Sequence, residues 1–169
     1  MMKKFFYLTA ILTIVLVSCN SEKKYKEKLS NAASMIEKEA NLSEAIVLTY
    51  CDTWRKAIYD HEYNGEYCTD FNEALAKLNE FIITTDTYKR LKQKRDSIET
   101  IMPLLNDYPS NCKDAYNELV SIYADADELF RFADDPRGSL STYSTKTTDL
   151  FQKIEKSMKE FKVKHIQNK

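Results

Sequence analysis

The chain has 169 residues, with 25 Lys and Arg against 26 Asp and Glu, two Gly and three Pro. Average usage of roughly 7% Gly and 5% Pro would give about 20 such residues; so few turn formers argue against a sandwich, a barrel or a multi-stranded α/β sheet, and Gly65 and Gly138 stand too far apart for a Gly-rich phosphate loop. The near-zero net charge removes nucleic acid as an expected partner, and 43% apolar with 30% charged residues describes one globular domain able to bury its own core.

The N-terminus reads as an address. Lys3 and Lys4 precede an apolar run from Phe5 to Val17, shorter than the ~20 residues of a membrane span and matching a secretory leader. Leu16-Val17-Ser18-Cys19 resembles the lipobox of bacterial lipoproteins, with an aliphatic residue three before a cysteine and a small residue just before it. That resemblance implies cleavage between Ser18 and Cys19, a diacylglyceryl group on the Cys19 thiol, acylation of the new amine, and the lipid bilayer as a partner. Several acyl chains, at ~0.8 kcal/mol per buried CH₂, make such anchoring stable. Losing residues 1–18 removes two lysines and no acid, which leaves 23 basic against 26 acidic side chains. Asn20 rather than Asp follows the cysteine, and no acidic run follows it. By resemblance to lipoprotein sorting rules, this implies an outer-membrane protein facing the periplasm, with cell-surface exposure as the other outcome. Residues 19–28 are expected to be the lipidated cysteine and a polar, Lys-rich tether, helical in its second half, and residues 29–169 the helical domain.

The rare Gly and Pro residues divide the rest at Asn64-Gly65, at Tyr108-Pro109 and at Pro136-Arg137-Gly138. In the first segment Leu29, Ala33, Ile36, Ala40, Ser43, Val47, Tyr50, Trp54, Ala57 and His61 recur at spacings of three and four. This predicts one long amphipathic helix, with Gly65 as its left-handed C-terminal residue. The second segment opens with Asp70-x-x-Glu73, a capping-box pattern. Its stripe runs Phe71, Leu75, Leu78, Ile82, slips near Thr84-Thr85-Asp86, and resumes at Tyr88, Leu91, Arg95, Ile98, Met102 and Leu105; a kink or break is expected at the slip, and Pro103 should distort the last turns. The third segment starts at Ser110 or Asn111 and carries Cys112, Ala115, Leu119, Ile122, Ala126, Leu129 and Ala133; the fourth carries Leu140, Tyr143, Thr147, Leu150, Ile154, Met158, Phe161 and His165. Four amphipathic helices on short connections predict an all-α fold, an elongated up-down-up-down four-helix bundle with long antiparallel helices.

Pro136 is placed to stop a helix, Gly138 to take a positive φ and Ser139 to cap the next helix. With Leu119, Tyr123, Leu129, Ala133, Leu140 and Tyr143, this helix–PxGS–helix pattern is similar to that of small helical bacterial and prophage proteins without an assigned function, and Trp54 in a first helix fits the same group. The resemblance covers about a quarter of the chain and implies a fold, not an activity.

Catalytic and metal motifs are hard to assemble. His61 and His165 fall at opposite ends of the expected bundle, and neither belongs to a Glu-x-x-His or His-Glu-x-x-His pattern. Asp60-His61-Glu62 are helix neighbours about 100° apart, so they do not converge on an ion. There is no Gly-x-Ser-x-Gly. Cys51, Cys68 and Cys112 lie on different elements, too far apart for an easy bridge, with Cys51–Cys68 the least unfavourable pair if the first helix ends early, and read as small apolar residues. The expectation is no enzyme, no cofactor and no metal site; a cluster of buried carboxylates with raised pKa would argue the other way.

Two distributions remain. Aromatic residues crowd toward the membrane-distal end, and Tyr59, Tyr63 and Tyr67 fall off the core stripe or in the turn, where they are expected to contact a protein partner. Charge is graded: residues 52–70 and 125–138 are each net −3, whereas 150–169 is net +4, a basic base suited to an anionic leaflet. The expected role is binding or scaffolding at the cell envelope. The alternatives are capture of an apolar small molecule between helices, in a pocket lined by Tyr50, Trp54 and Tyr123, or immunity or inhibition directed at a phage component or an envelope enzyme.

Overall fold

The computed structural model describes the backbone of residues 2–167 and the side chains of residues 21–167. Ser18 and Cys19, the expected cleavage and lipidation positions, lie outside the described side chains. The chain is all-α apart from one short hairpin. Among the described residues there are five α-helices: α1 (Met2–Arg55), α2 (Phe71–Ile82), α3 (Asp86–Ile101), α4 (Lys113–Asp134) and α5 (Leu140–Phe161). The hairpin pairs β1 (Glu62–Tyr63) with β2 (Glu66–Tyr67). Among the described residues no helix is long and apolar enough to cross a membrane; the side chains of the apolar run 5–17 lie outside those described.

The first helix ends earlier than its stripe suggested. A π-turn over Lys56–Asp60 follows α1, and His61, at φ 53°, takes the left-handed position expected for Gly65. Gly65 turns the hairpin instead. Asn64 and Gly65 both have positive φ, 53° and 81°, as a two-residue Asn-Gly turn of the primed type requires. The base of the hairpin is closed by the Cys68 amide, which donates to the His61 carbonyl at 2.7 Å.

The phase slip in the second segment is a full break. α2 ends at Ile82, and Thr85 starts α3 with its side chain accepting from the Tyr88 amide at 3.2 Å. Asp70 caps α2 by accepting from Asn72 N–H at 2.8 Å, while Glu73 pairs with Lys77 at 2.7 Å. Pro103 sits in a 3₁₀ turn over Met102–Leu105. A second 3₁₀ turn, Ser110–Cys112, leads into α4. At the last junction Gly138 has φ 101° and Ser139 accepts from the Thr142 amide, as that sequence predicts.

Long-range contacts set the directions. Along α1 and the α2–α3 segment, Tyr25 bonds the Leu105 carbonyl, Glu39 faces Arg95 and Tyr50 bonds Asn79, so the two run in opposite directions. Asp127 and Asp134 of α4 meet Arg95 and Tyr88 of α3, and Asp125 and Phe132 of α4 meet Lys153 and Tyr143 of α5; in each pair of helices the residue numbers rise on one partner as they fall on the other. The core is the predicted stripe: Leu29, Ile36, Tyr50, Leu91, Ile98, Leu119, Leu129, Tyr143, Ile154, Met158 and Phe161 are buried.

The expected tether behaves differently. Residues 20–28 continue α1. Tyr25 is buried in the core, and its hydroxyl donates to the Leu105 carbonyl at 2.7 Å. Packing therefore begins before residue 29.

Candidate functional site

Two places in this frame carry groups that packing alone does not account for. The first is the end formed by the hairpin and the starts of α2 and α5. Its floor is aromatic. Trp54 of α1 lies 6.3 Å from Phe71 of α2 and 5.8 Å from Tyr143 of α5, and Tyr143 packs edge-on to Phe132 at 5.6 Å. The Tyr143 hydroxyl donates to the Phe132 carbonyl at 2.8 Å, which ties the start of α5 to the end of α4. Burial, first of all, pushes the Tyr143 hydroxyl pKa far up.

Above this floor the three predicted contact residues separate. Tyr63 packs partly against the core. Tyr59 and Tyr67 do not: they are 71% and 80% exposed. Tyr59 projects from the π-turn and Tyr67 from β2, where the His61 ring lies 6.1 Å away. Cys68 is partly exposed and its thiol donates to the Asp70 carbonyl at 3.2 Å. Cys51 and Cys112 are buried, and burial raises both thiols above their usual pKa. Asp60, His61 and Glu62 form no ion site: among the described residues no three His, Cys, Asp or Glu side chains are grouped to hold one.

The second place is inside. Glu39 of α1 is wholly buried, and Arg95 of α3 approaches it with Nη1 3.6 Å from Oε1. That is attraction without a hydrogen bond; neither Glu39 oxygen has a hydrogen-bond partner, and nor does Ser43 Oγ one turn along α1. Arg95 also pairs with Asp127 of α4 and, at 3.0 Å, with Glu99, while its guanidinium lies 4.2 Å above the Phe130 ring. Arg131 holds the outer oxygen of Asp127 at 2.7 Å. Burial dominates the outcome: it lifts the Glu39 carboxyl from 4.5 to about 7, against the pull of Arg95. This is the kind of buried acid whose presence would argue for chemistry, yet no opening reaches it. Glu39 is wholly enclosed, whereas Asp127 borders a surface depression, which it lines with Glu128, Arg131 and Asp135.

One sign of this network is legible beforehand, an arginine standing on the apolar stripe of the second segment. Glu39, three residues after Ile36 and four before Ser43, lies on the same face of α1 as both.

The grooves between helices are shallow. One of about 730 Å³ runs between α1 and α5 over Ala40, Phe151, Ile154 and Met158. It does not reach Tyr50, Trp54 or Tyr123; Tyr50 and Trp54 are buried in the core, and the Tyr50 hydroxyl donates to Asn79 Oδ1 at 2.6 Å. The basic stretch of α5 and the turn after it is partly neutralised within the chain. Lys153 pairs with Asp125 at 2.7 Å, Lys162 with Glu37 at 2.6 Å, and Lys164 with Glu118. Burial works against the charge of Glu118, but Lys164 and His165 outweigh it and hold its carboxyl below the usual range. No family model matches the chain, and no curated protein and no solved structure matches it either.

Proposed function

We propose that the chain is a bacterial envelope lipoprotein whose helical rod holds a non-catalytic binding tip away from the membrane. In this reading residues 1–18 are removed, Cys19 is acylated in the outer membrane, and the domain faces the periplasm. The five helices make an elongated up-down-up-down four-helix bundle in which α2 and α3 together form one interrupted rod. The observation that carries the binding role is the exposure of Tyr59 and Tyr67, 71% and 80%, on a hairpin whose backbone is fixed at both ends. Large aromatic side chains displayed on a rigid support are what recognition surfaces use, because they offer area at low entropic cost. The hairpin follows α1 at the end opposite Cys19; residues 21–55 alone extend it about 50 Å at ~1.5 Å per residue. Capture of an apolar ligand has less support, since Tyr50 and Trp54 are enclosed by other side chains. A catalytic role has less support too, since Glu39 has no access to substrate.

The test is photo-cross-linking in intact cells. A p-benzoylphenylalanine placed at position 59 or 67 of the full-length lipoprotein should give a discrete adduct that the same group at Asp149, on the exposed face of α5, does not give. No adduct from the tip, or the same adducts from position 149, overturns the binding role. Labelled palmitate should enter the wild-type chain and not Cys19→Ser; equal labelling of both overturns the anchor. Protease treatment of intact and permeabilised cells, followed by blotting for residues 140–169, decides which side of the envelope the rod occupies.

A further inference from the structure

The surface around Tyr59 and Tyr67 has a sign. From Ala57 to Ala76 the chain has five carboxylates, Asp60, Glu62, Glu66, Asp70 and Glu73, and no Lys or Arg. The two cations that bound this stretch are already occupied: Lys56 pairs with Asp52 at 2.9 Å and Lys77 with Glu73 at 2.7 Å. Of the five acids, Asp70 is committed to its cap and Glu62 accepts from the Gly65 amide at 3.2 Å. Asp60 and Glu66 form no ion pair among the described side chains, and Glu62 stands opposite Tyr67 in the hairpin register, which puts both on one face of it. The result is a patch at one end of the chain that exposes the rings of Tyr59, Tyr67 and, in part, Phe71 among uncompensated negative charge.

Resting on the tip reading above, we infer that this patch docks a cationic protein segment, one that lays arginine or lysine side chains against the exposed tyrosine rings and the carboxylates of Asp60 and Glu62. Both halves of the patch favour that occupant: an aromatic face attracts a cation through its quadrupole, and the carboxylates steer and hold it. The chain already uses the same pairing internally, where Arg95 stacks 4.2 Å over Phe130 beside Asp127 and Glu99. The sign also excludes other occupants. Anionic lipid and nucleic acid would be repelled. A second copy anchored in the same leaflet would present only another acidic tip, because Lys156, Lys159 and the rest of the basic stretch lie toward the other end of the rod.

The experiment reads the yield of the adduct formed from p-benzoylphenylalanine at position 59 of the full-length lipoprotein in isolated envelopes. Three conditions are compared: low salt, high salt, and low salt with Glu62→Gln, Glu66→Gln and Asp60→Asn combined, a variant first shown by its melting curve to fold like the wild type. A cationic partner predicts that the yield falls about fivefold or more in high salt and in the neutralised variant. Unchanged yield in both, with loss of the adduct on Tyr67→Ser, means that the tip binds an uncharged surface; the inference then fails while the tip reading stands. No adduct in low salt from the wild-type tip means that both fail.

Discussion

Replacing Glu39 by glutamine isolates the effect of one buried charge, because the two side chains have nearly the same shape. In the folded protein the Glu39 carboxyl titrates near 7, against 4.5 for the free group, and burial is the main cause. A raised acid pKa means that the folded state binds the proton more tightly than the unfolded state. Below about pH 4.5 both states are protonated and the charge costs nothing. Between about 4.5 and 7 the unfolded state releases its proton first, so stability falls as the pH rises; above about 7 the full cost is present. A difference of about 2.5 pKa units corresponds to roughly 3 kcal/mol. Glutamine does not titrate, so Glu39→Gln should be close to neutral at pH 4 and stabilising by ~3 kcal/mol at pH 8. For a chain of this length that is an increase in Tm of about 6–12 °C. Arg95 keeps its pairs with Asp127 and Glu99 in the variant, so no new buried charge is orphaned.

The assay is thermal unfolding of the full chain in detergent, followed by circular dichroism at pH 4, 6 and 8, for wild type and variant. The quantity to read is the difference between the two proteins at each pH, since His61, His165 and other groups that do not touch Glu39 cancel in it. A difference that is the same at all three pH values would refute the reasoning, because it would place the Glu39 charge in water rather than in the core.

Other expectations follow from single contacts. His61 occupies a left-handed position at φ 53°, which costs a side chain roughly 1 kcal/mol, so His61→Gly should raise Tm by about 2–4 °C in the same melt. Tyr25→Phe removes the hydroxyl that satisfies the Leu105 carbonyl and should cost ~1–2 kcal/mol; no loss would mean that the helix before residue 29 is not part of the folded unit. Ser139→Ala deletes the α5 cap and should cost about 1 kcal/mol, measurable as a lower urea midpoint at unchanged slope.

How much of this was legible depends on whether the signal was local. The start of α5 was, because Pro136, Gly138 and Ser139 each act on their own backbone. The break before α3 was, because Thr84 and Thr85 interrupt a stripe whose phase can be followed on either side. The hairpin was half legible: Asn64-Gly65 marked a stop, but strands of two residues are too short to alternate, and a glycine after a long helix reads equally well as its cap. The polar network was the least legible. An arginine on an apolar stripe says that something charged must face it, and Glu39 and Asp127 supply that from helices 56 residues before and 32 residues after it in the chain. Nothing local states that pairing. The tip followed the same rule: the sequence marked Tyr59, Tyr63 and Tyr67 alike, and only the fold separated the half-packed Tyr63 from the two exposed rings.

That a buried charge is retained at a cost calls for an account, and register supplies one. Around Glu39 the facing stripes are Leu29, Ala32, Ala33, Ile36 and Ala40 of α1 and Leu91 and Ile98 of α3, and such aliphatic surfaces still match if one helix slides by a turn, about 5.4 Å. Arg95 does not tolerate that slide. Displaced by a turn, it would leave Glu39, Asp127 and the face of Phe130 together, stranding Glu39 in the core with no charge facing it. Polar groups that fix register in this way are the best-attested use of buried ion pairs. Replacing all three charges with apolar residues of similar volume, Glu39→Leu with Arg95→Met and Asp127→Leu, should then have two effects that part company. Stability should hold or rise by about 1–4 kcal/mol, while nitrogen–proton NMR spectra should show extra resonances for α3 and the hairpin as more than one register becomes populated. A triple variant that is more stable and still gives a single set of resonances would sink the register account, and would leave the hairpin's position relative to the start of α1 to be set by the loops alone.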